Sequence, residues 1–149
     1  LQESKRIREI LTMRKRYLIA ILGLLGWGFN SSAQEAVSVD KVVSVYDGDT
    51  MRVNVSGWPP VVGQNMPIRV RGVDTPEIRG KCQEEKRQAY AARNYVRERV
   101  AQAHAIELRN IERGKYFRLV ADVYLDGVLL SNELTAAGLA RNYEFNASK

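Results

Sequence analysis

Ile68-Arg69-Val70-Arg71-Gly72-Val73-Asp74-Thr75-Pro76-Glu77 is the stretch of this chain that decides the fold. Its alternation predicts a β-strand over Ile68 to Val73 that carries Arg69 and Arg71 on one face. Because two arginines on one strand face are costly to bury unpaired, they either reach solvent or meet anions. Pro76 supplies no amide hydrogen and biases its predecessor away from the helical region, so the strand is predicted to end before it.

A β-hairpin is predicted ahead of this strand. Val39 to Tyr46 and Thr50 to Val55 are rich in β-branched residues, and they flank the tight-turn sequence Asp47-Gly48-Asp49. Ser56 to Met66 contains two glycines and two prolines, which predicts a loop or a widened turn.

A long helix is predicted after it. Cys82 to Ala103 contains no glycine or proline and repeats its apolar positions at helical spacing, which indicates an amphipathic helix. The basic residues in its second half are expected to form a solvated face; they are Arg93, Arg97 and Arg99.

Two more strands are predicted over Ala105 to Ile111 and Leu119 to Leu125, and Ser131 is the expected N-cap of a short helix that ends near Gly138. Five strands with a long helix between the third and the fourth make an α+β domain, mainly β. Such a domain could close as a five-stranded barrel of the OB type. Taken alone, the pattern leaves other α+β folds open.

The positive charge is concentrated near the start of the chain. The 149 residues include 23 basic and 17 acidic ones, a formal net charge of +6. Six of the basic and two of the acidic residues precede residue 34, which leaves 17 against 15, or +2, for the remainder. Bulk charge is therefore weak support for a polyanionic partner. The length and a hydrophobic content of 45% suit one domain.

Cys82 is the only cysteine and His104 the only histidine. An internal disulfide and a cysteine–histidine metal cluster are thereby excluded, so any metal must bind through oxygen. Cys82 is expected in a polar segment before the long helix and His104 at the end of that helix, neither of them with a catalytic role.

Residues 13–33 are typical of a secretory signal peptide. A basic segment, Arg14 to Arg16, precedes an apolar run from Tyr17 to Phe29, and small residues lead to a cleavage site after Ala33. The apolar run is shorter than the roughly 20 residues of a membrane-spanning helix.

Three segments are therefore expected: an upstream extension over residues 1–12 ahead of a start at Met13, a signal peptide over residues 13–33, and a domain over residues 34–149. The domain is expected to be secreted or periplasmic. An uncleaved signal that anchors it to the membrane is the alternative.

Asp49 follows the predicted turn and Asp74 ends the predicted strand, so closure of a barrel could bring both carboxylates to one rim. Two carboxylates, a backbone carbonyl and waters would suit calcium, which accepts about six to eight oxygen ligands. The same oxygen set suits other hard cations. The alternative is that these are ordinary turn and strand-end residues.

These motifs, together with Lys115-Tyr116-Phe117-Arg118, resemble those of the thermonuclease family, the staphylococcal-nuclease-like domains, in order, type and approximate spacing. The resemblance runs from about Val39 to about Arg141. It implies an OB-fold barrel and a nuclease that requires Ca²⁺.

The resemblance also implies roles for individual residues. The implied metal ligands are Asp49, Asp74 and the carbonyl of Thr75; the implied catalytic residues are Arg69, Glu77 and Arg118; the implied substrate contacts are Lys115, Tyr116 and Tyr143. Glu77 corresponds to a general base, and whether it takes the proton itself or orders the attacking water is left open. A guanidinium fork can hold two phosphate oxygens at once, which suits both arginines.

The sequence departs from the family pattern at three places. Phe117 stands where the family usually has glycine, so either the turn changes or the ring covers the substrate. The loop between Glu77 and the long helix is short, and the sequence ends soon after Tyr143 without the family's last long helix.

The sequence thus predicts a monomeric, secreted or periplasmic, calcium-dependent nuclease that hydrolyses DNA and also RNA with low sequence specificity. The resemblance implies 3′-phosphate products. The alternative is a catalytically inactive nucleic-acid-binding barrel, free or membrane-anchored.

Overall fold

The computed structural model describes residues 35–144. The predicted upstream extension and signal peptide lie outside these residues, so the segment boundaries stay predictions. Within the described part, no helix combines the length and apolar character needed to cross a membrane.

The described residues form nine strands and three helices. In chain order they are β1 (Val37–Ser38), β2 (Lys41–Val45), β3 (Thr50–Asn54), α1 (Pro60–Gly63), β4 (Met66–Val70), β5 (Val73–Asp74), α2 (Gln83–Gln102), β6 (Ile106–Arg113), β7 (Leu119–Leu125), β8 (Val128–Leu129), α3 (Leu130–Ala136) and β9 (Arg141–Asn142).

Seven of the strands form one curled sheet. Its order is β1-β6-β7-β4-β3-β2 with β8 added to β7, and β4 and β7 are its parallel pair. β1 and β2 lie at opposite ends of this order, yet only Val39 and Asp40 separate them along the chain. The same stretch of chain therefore connects both edges, and the sheet curls into the half-barrel of an OB-type fold. This confirms the predicted α+β architecture. The long helix α2 lies between β4 and β6, the third and fourth of the five longest strands.

Alternate residues of the strands fill the inside of the curl. The largest of them are fully buried: Met51 and Val53 on β3, Ile68 and Val70 on β4, Leu108 on β6, and Val123 and Leu125 on β7. Ala89, Ala92 and Val96 form the buried face of α2. Their 3.6-residue spacing is the pattern that predicted the helix.

The ends of α2 match the predicted helix from Cys82 to Ala103. Cys82 is its N-cap, and its sulfur accepts a hydrogen bond from the Glu85 amide at 3.3 Å. Ala103 is the C-cap, and the side chain of His104 just beyond it is 95% exposed. The structural positions predicted for Cys82 and His104 are thus confirmed.

The strand predicted over Ile68 to Val73 is too long, because β4 ends at Val70. Gly72 has a φ of +84°, a left-handed conformation that breaks the strand alternation. Val73 is therefore buried in the core instead of sharing a face with Arg69.

Two other local predictions are wrong in detail. The predicted loop over Ser56 to Met66 contains the short helix α1 and the first residue of β4. Ser131 does not cap α3, whose N-cap is Leu129 without a side-chain hydrogen bond. Ser131 lies inside the helix and is buried, since α3 starts directly where β8 ends.

Candidate active site

Asp49 is placed by the hairpin turn between β2 and β3. The turn is closed by a hydrogen bond from the Tyr46 amide to the Thr50 carbonyl at 2.9 Å. A Cβ on Gly48 would lie only 2.7 Å from Ala92 Cβ and 2.7 Å from Thr75 Cγ2. Glycine therefore lets the turn pack directly against α2 and Thr75, which leaves Asp49 only 2% exposed.

The buried Asp49 carboxylate is fully partnered. Arg69 donates from Nη1 to Oδ1 at 3.1 Å and lies with Nη2 3.0 Å from Oδ2. The Thr75 amide donates to Oδ2 at 3.2 Å, and the Thr50 hydroxyl donates to Oδ1 at 2.9 Å. A charge at this depth is tolerated because a counter-ion and neutral donors surround it.

Asp74 lies on the other side of the same arginine. Its Oδ1 accepts from Arg69 Nη2 at 2.8 Å, and its Oδ2 accepts from Arg141 Nε at 3.0 Å and Nη2 at 2.6 Å. Burial alone would raise the pKa of Asp74, but the hydrogen bonds from Arg141 and Arg69 outweigh it and lower that pKa. Asp74 is therefore ionised at neutral pH.

Asp47 is a second buried carboxyl in the turn and is 9% exposed. Its Oδ1 accepts a hydrogen bond from the Asp49 amide at 3.3 Å. Burial, followed by the negative charge of Asp49, raises the pKa of Asp47 from 3.8 to about 6. The turn thus holds one carboxylate beside Arg69 and one carboxyl that resists ionisation.

Glu77 lies beside an open cavity of about 480 Å³. Asp74, Thr75, Pro76 and Arg141 also line this cavity, and α2 closes one side of it with Glu85 and Gln88. Glu77 is exposed, and its side chain has no hydrogen bond or ion pair with another described residue. Its backbone carbonyl accepts from the Gly80 amide at 2.9 Å, which fixes the turn that follows Pro76.

The chemistry of the donor set fits a hard cation. Asp49 and Asp74 each place a carboxylate oxygen within 3.0 Å of Arg69 Nη2, so the guanidinium group lies between the two carboxylates. Thr75 contributes a buried hydroxyl oxygen that lacks a hydrogen-bond partner among the described residues. Within residues 35–144, no three acidic, histidine or cysteine side chains converge as a metal-binding group. Two carboxylates plus backbone oxygen and water are the set that calcium tolerates.

Arg118 comes just before β7, the strand that pairs in parallel with β4. Arg69 is opposite Val120 in the register, and Arg118 precedes Val120 by two residues, so strand alternation continued to Arg118 would put both arginines on the same sheet face. Strand spacing and rise would then put their Cα atoms about 8 Å apart. Arg118 Nε is buried and has no hydrogen-bond partner in the described part of the chain.

Tyr143 also reaches this region. Its amide donates to the Gly72 carbonyl at 3.0 Å, and its ring centroid lies 5.8 Å from the guanidinium carbon of Arg69. The ring is half exposed, which leaves a face for stacking.

The turn from Lys115 to Arg118 adopts the conformation expected of glycine. Tyr116 has a φ of 57° and Phe117 a φ of 56°, and the Arg118 amide donates to the Lys115 carbonyl at 3.3 Å. This is a type I′ geometry, which needs positive φ at both central residues. The Phe117 ring stacks 4.8 Å from the guanidinium of Arg113. The left-handed geometry typical of glycine is thus present despite the bulky side chain.

Lys115 and Tyr116 are exposed, Tyr116 by 94%. No hydrogen bond or ion pair joins either side chain to Asp49 or Asp74 in the part of the chain that the structure describes. They lie at the tip of the turn, and the structure does not bring them into the cluster around Arg69.

Arg71 belongs to a structural network outside the cluster. It lies 3.2 Å from Glu112 and 3.5 Å from Asp122, and it donates to the Asn110 carbonyl. Of the two alternatives for an arginine on this strand, solvent or anions, Arg71 therefore meets anions, which are carboxylates of the chain itself.

Arg141 is the site residue that sequence reasoning missed. It reaches Asp74 because β9 pairs with β5, with Arg141 directly opposite Asp74. The two residues are far apart in the sequence, and each strand has only two residues, too few for a periodic signal. The one sequence feature that could have indicated a role for Arg141 is its positive charge, three residues after Gly138, within the segment that resembles the thermonuclease family.

The curled sheet defines a small OB-type barrel, and Asp49, Arg69 and Asp74 form a charged cluster on it. A family model described as staphylococcal nuclease homologue matches residues 67–149, more than half of the chain. The chain therefore belongs to the staphylococcal nuclease family. Members of that family act on nucleic acid and generally depend on calcium. The match includes Arg69, Asp74 to Glu77 and Arg118, whereas Asp49 lies ahead of it. No curated protein matches the chain.

Proposed function

We propose that this chain is a calcium-dependent nuclease that hydrolyses phosphodiester bonds of DNA and RNA with low sequence specificity. The observation that carries the proposal is the bridged pair: Asp49 and Asp74 on either side of Arg69, at 2.8 to 3.1 Å, next to the cavity lined by Glu77. The family match supports the nuclease-like class.

Asp49, Asp74 and the carbonyl of Thr75 would hold the calcium ion, which when bound would supply positive charge next to the scissile phosphate. Arg69 and Arg118 would contact the phosphate oxygens. Two guanidinium groups stabilise negative charge as it grows on a five-coordinate phosphorus.

Glu77 would accept the proton of the attacking water. The water oxygen forms a bond to phosphorus, the bond from phosphorus to the 5′ oxygen breaks, and solvent supplies the proton for that oxygen. The products are a 3′-phosphate and a 5′-hydroxyl. Because contacts to phosphate and stacking carry little base information, weak sequence preference follows.

The test is digestion of plasmid DNA by the purified chain in calcium and in chelator, with Glu77→Gln as the variant. We expect cleavage in calcium alone, and a turnover lower by about 10² to 10⁴ in Glu77→Gln, since positioned proton transfer contributes that much. Glu98→Gln is the matched control and should keep full turnover. Glu98 is exposed like Glu77 but lies on α2.

Two outcomes would contradict the proposal. Cleavage that persists in chelator would remove the metal from the reaction. Binding of DNA without any calcium-dependent nicking would identify a binding module instead. Equal turnover in Glu77→Gln and Glu98→Gln would remove Glu77 from the mechanism without removing the nuclease.

We also propose export of the domain, on the basis of the signal-like segment at residues 13–33. Mass spectrometry of the exported protein should give a mass that begins near Gln34. A mass that still includes residues 13–33, together with recovery in the membrane fraction, would indicate an anchored domain.

A further inference from the structure

A second groove lies on the outer face of the sheet, between β2, β3 and α2. It has a volume of about 340 Å³. Three arginines line it, Arg52 from β3 and Arg93 and Arg97 from α2, and none of its lining residues in the described part is acidic. Tyr46, which is half exposed, lies at its wall.

The arginines of this groove differ from the other arginines of α2. Arg99 is paired with Glu133 at 2.8 Å, and Arg87 is paired with Glu84. By contrast, Arg97 donates to the Val45 carbonyl at 3.2 Å, and Arg93 stacks on Tyr90.

Neither Arg93 nor Arg97 forms an ion pair with a carboxylate of the described residues. Arg52 likewise donates to a carbonyl, that of Asn65, at 2.9 Å. Backbone oxygens and a ring orient these three guanidinium groups without neutralising them, so their positive charge is available to an anion. The solvated helix face predicted from sequence is wrong for Arg99, which is 25% exposed and paired with Glu133. Arg97 is exposed as predicted, Arg93 is partly buried, and both line this groove.

The groove is adjacent to residues of the candidate active site. Thr50 lines it, while its hydroxyl donates to Asp49 and its position in β3 is opposite Arg69. Ile78 lines it as well and follows Glu77 in the chain. Arg52 is two residues beyond Thr50 on the same strand, which places it about 7 Å further along.

We propose that this groove binds the phosphate backbone of the substrate strand on one side of the scissile bond, with Tyr46 stacking on a base. The inference rests on the proposed function, because it takes Asp49, Arg69 and Glu77 as the point of cleavage. Uncompensated arginines beside an exposed aromatic ring are the combination that holds single-stranded nucleic acid without base selection.

The test measures binding in chelator, in a Glu77→Gln background, by fluorescence anisotropy of a labelled single-stranded oligonucleotide. The double variant Arg93→Gln, Arg97→Gln should weaken binding at least tenfold. Its plot of log affinity against log salt should be shallower by about 1.4, because each lost phosphate contact on a single strand removes about 0.7. Arg87→Gln on the same helix, where the side chain is 78% exposed, is the matched control and should change neither quantity.

A second arm uses the active chain and a dinucleotide with one phosphate, which is too short to reach the groove. The double variant should lower kcat/KM for the oligonucleotide and leave kcat/KM for the dinucleotide unchanged. An equal loss on both substrates would mean that Arg93 and Arg97 act on the cleavage site and would overturn the groove.

Unchanged oligonucleotide affinity and an unchanged salt slope would also overturn it, as would an equal effect of Arg87→Gln. If the double variant unfolds, Arg52→Gln and Tyr46→Ala, both at exposed residues, give the same readout. The binding arm needs no turnover, so a chain that binds through the groove but never cleaves would reject the nuclease and leave the groove standing.

Discussion

Arg69 and Arg118 are expected to meet the same phosphate, but the two regions that hold them differ. Arg69 is fixed between Asp49 and Asp74 by contacts of 2.8 to 3.1 Å. Arg118 ends a turn whose two central residues have positive φ, and its Nε has no hydrogen-bond partner among the described residues. The first region is a closed network of charges, whereas in the second the Nε donor of Arg118 has no partner among the described residues.

This difference separates stability from chemistry. In the closed network each charge supports its neighbours, so a change there should affect folding and turnover together. A change at Arg118, in the turn, should affect turnover alone, because this side chain contributes little to the stability of the folded protein.

The largest effect is expected from Arg69→Ala. It would leave the buried Asp49 beside Asp74 without the cation that bridges them, so the free energy of unfolding in chelator should fall by about 3 kcal/mol or more. Chemical denaturation measures this loss, and plasmid digestion should show that activity is lost as well.

Arg71→Ala is the matched control for that change, because Arg71 comes just after β4, is 22% exposed and is also ion-paired. It should lower stability while the turnover of the folded protein stays intact. If Arg69→Ala kept full stability in chelator, the acidic pair would not depend on its bridge.

Arg118→Lys should lower turnover by about 10² to 10³, the usual cost of removing one donor from a developing negative charge. Lysine keeps the positive charge but cannot bind two oxygens in a fork. The free energy of unfolding should change by less than about 0.5 kcal/mol. Arg113→Lys, at the exposed last residue of β6 on the other side of the turn, should leave turnover unchanged, and an equal loss in both variants would remove the special role of Arg118.

Asp47, next to the closed network, makes the stability of this region sensitive to pH. Its pKa is raised from 3.8 to about 6 in the folded protein, so the folded state binds more protons than the unfolded state between these values. The contribution of Asp47 to stability in chelator is therefore fully present below pH 3.8 and is lost as the pH rises through about 6. At about 1.4 kcal/mol per pH unit the loss is at most about 3 kcal/mol, and solvent screening reduces it.

The measurement is the difference in unfolding free energy between the parent chain and Asp47→Asn from pH 4 to pH 7. Asp74 has a lowered pKa and contributes in the opposite direction, but it cancels in this difference. The unfolding free energy of Asp47→Asn should increase relative to that of the parent as the pH rises. A constant difference would show that Asp47 ionises as freely in the folded as in the unfolded chain.

The sequence was most informative where one element determines its own structure. The strand predicted over Leu119 to Leu125 has the bounds observed for β7, and the predicted helix from Cys82 to Ala103 is α2 with its two caps. In both, side-chain periodicity and the absence of breakers act locally, so no tertiary information was needed. The motifs with acidic residues could be identified from the sequence for the same reason, because the residue types that favour turns and strand ends are a local signal.

The features that escaped prediction depend on pairing between distant segments. Gly72 ends β4 early through a backbone conformation that residue type permits but does not require. Arg141 meets Asp74 only through the pairing of β5 and β9. Arg93 and Arg97 look like solvated helix residues until α2 is packed beside β2. Sequence patterns indicate which face of an element is apolar, but not which partner lies against its polar side.

The smallest predicted effect tests the turn itself. A residue with a φ of 56° such as Phe117 bears a cost of about 1 kcal/mol that glycine does not. Phe117→Gly and Phe117→Ala both remove the ring that stacks on Arg113, but glycine alone relieves the backbone. The glycine variant should therefore be the more stable of the two by about 1 kcal/mol in chemical denaturation.

At Lys115, which lacks a positive φ, the same pair of changes should give the opposite order, because glycine there only adds freedom to the unfolded chain. Turnover in Phe117→Gly should match the parent if the turn, and not the ring, positions Arg118. A large loss in both Phe117 variants, with the stability order as expected, would place the ring in contact with substrate and make this turn a second binding surface.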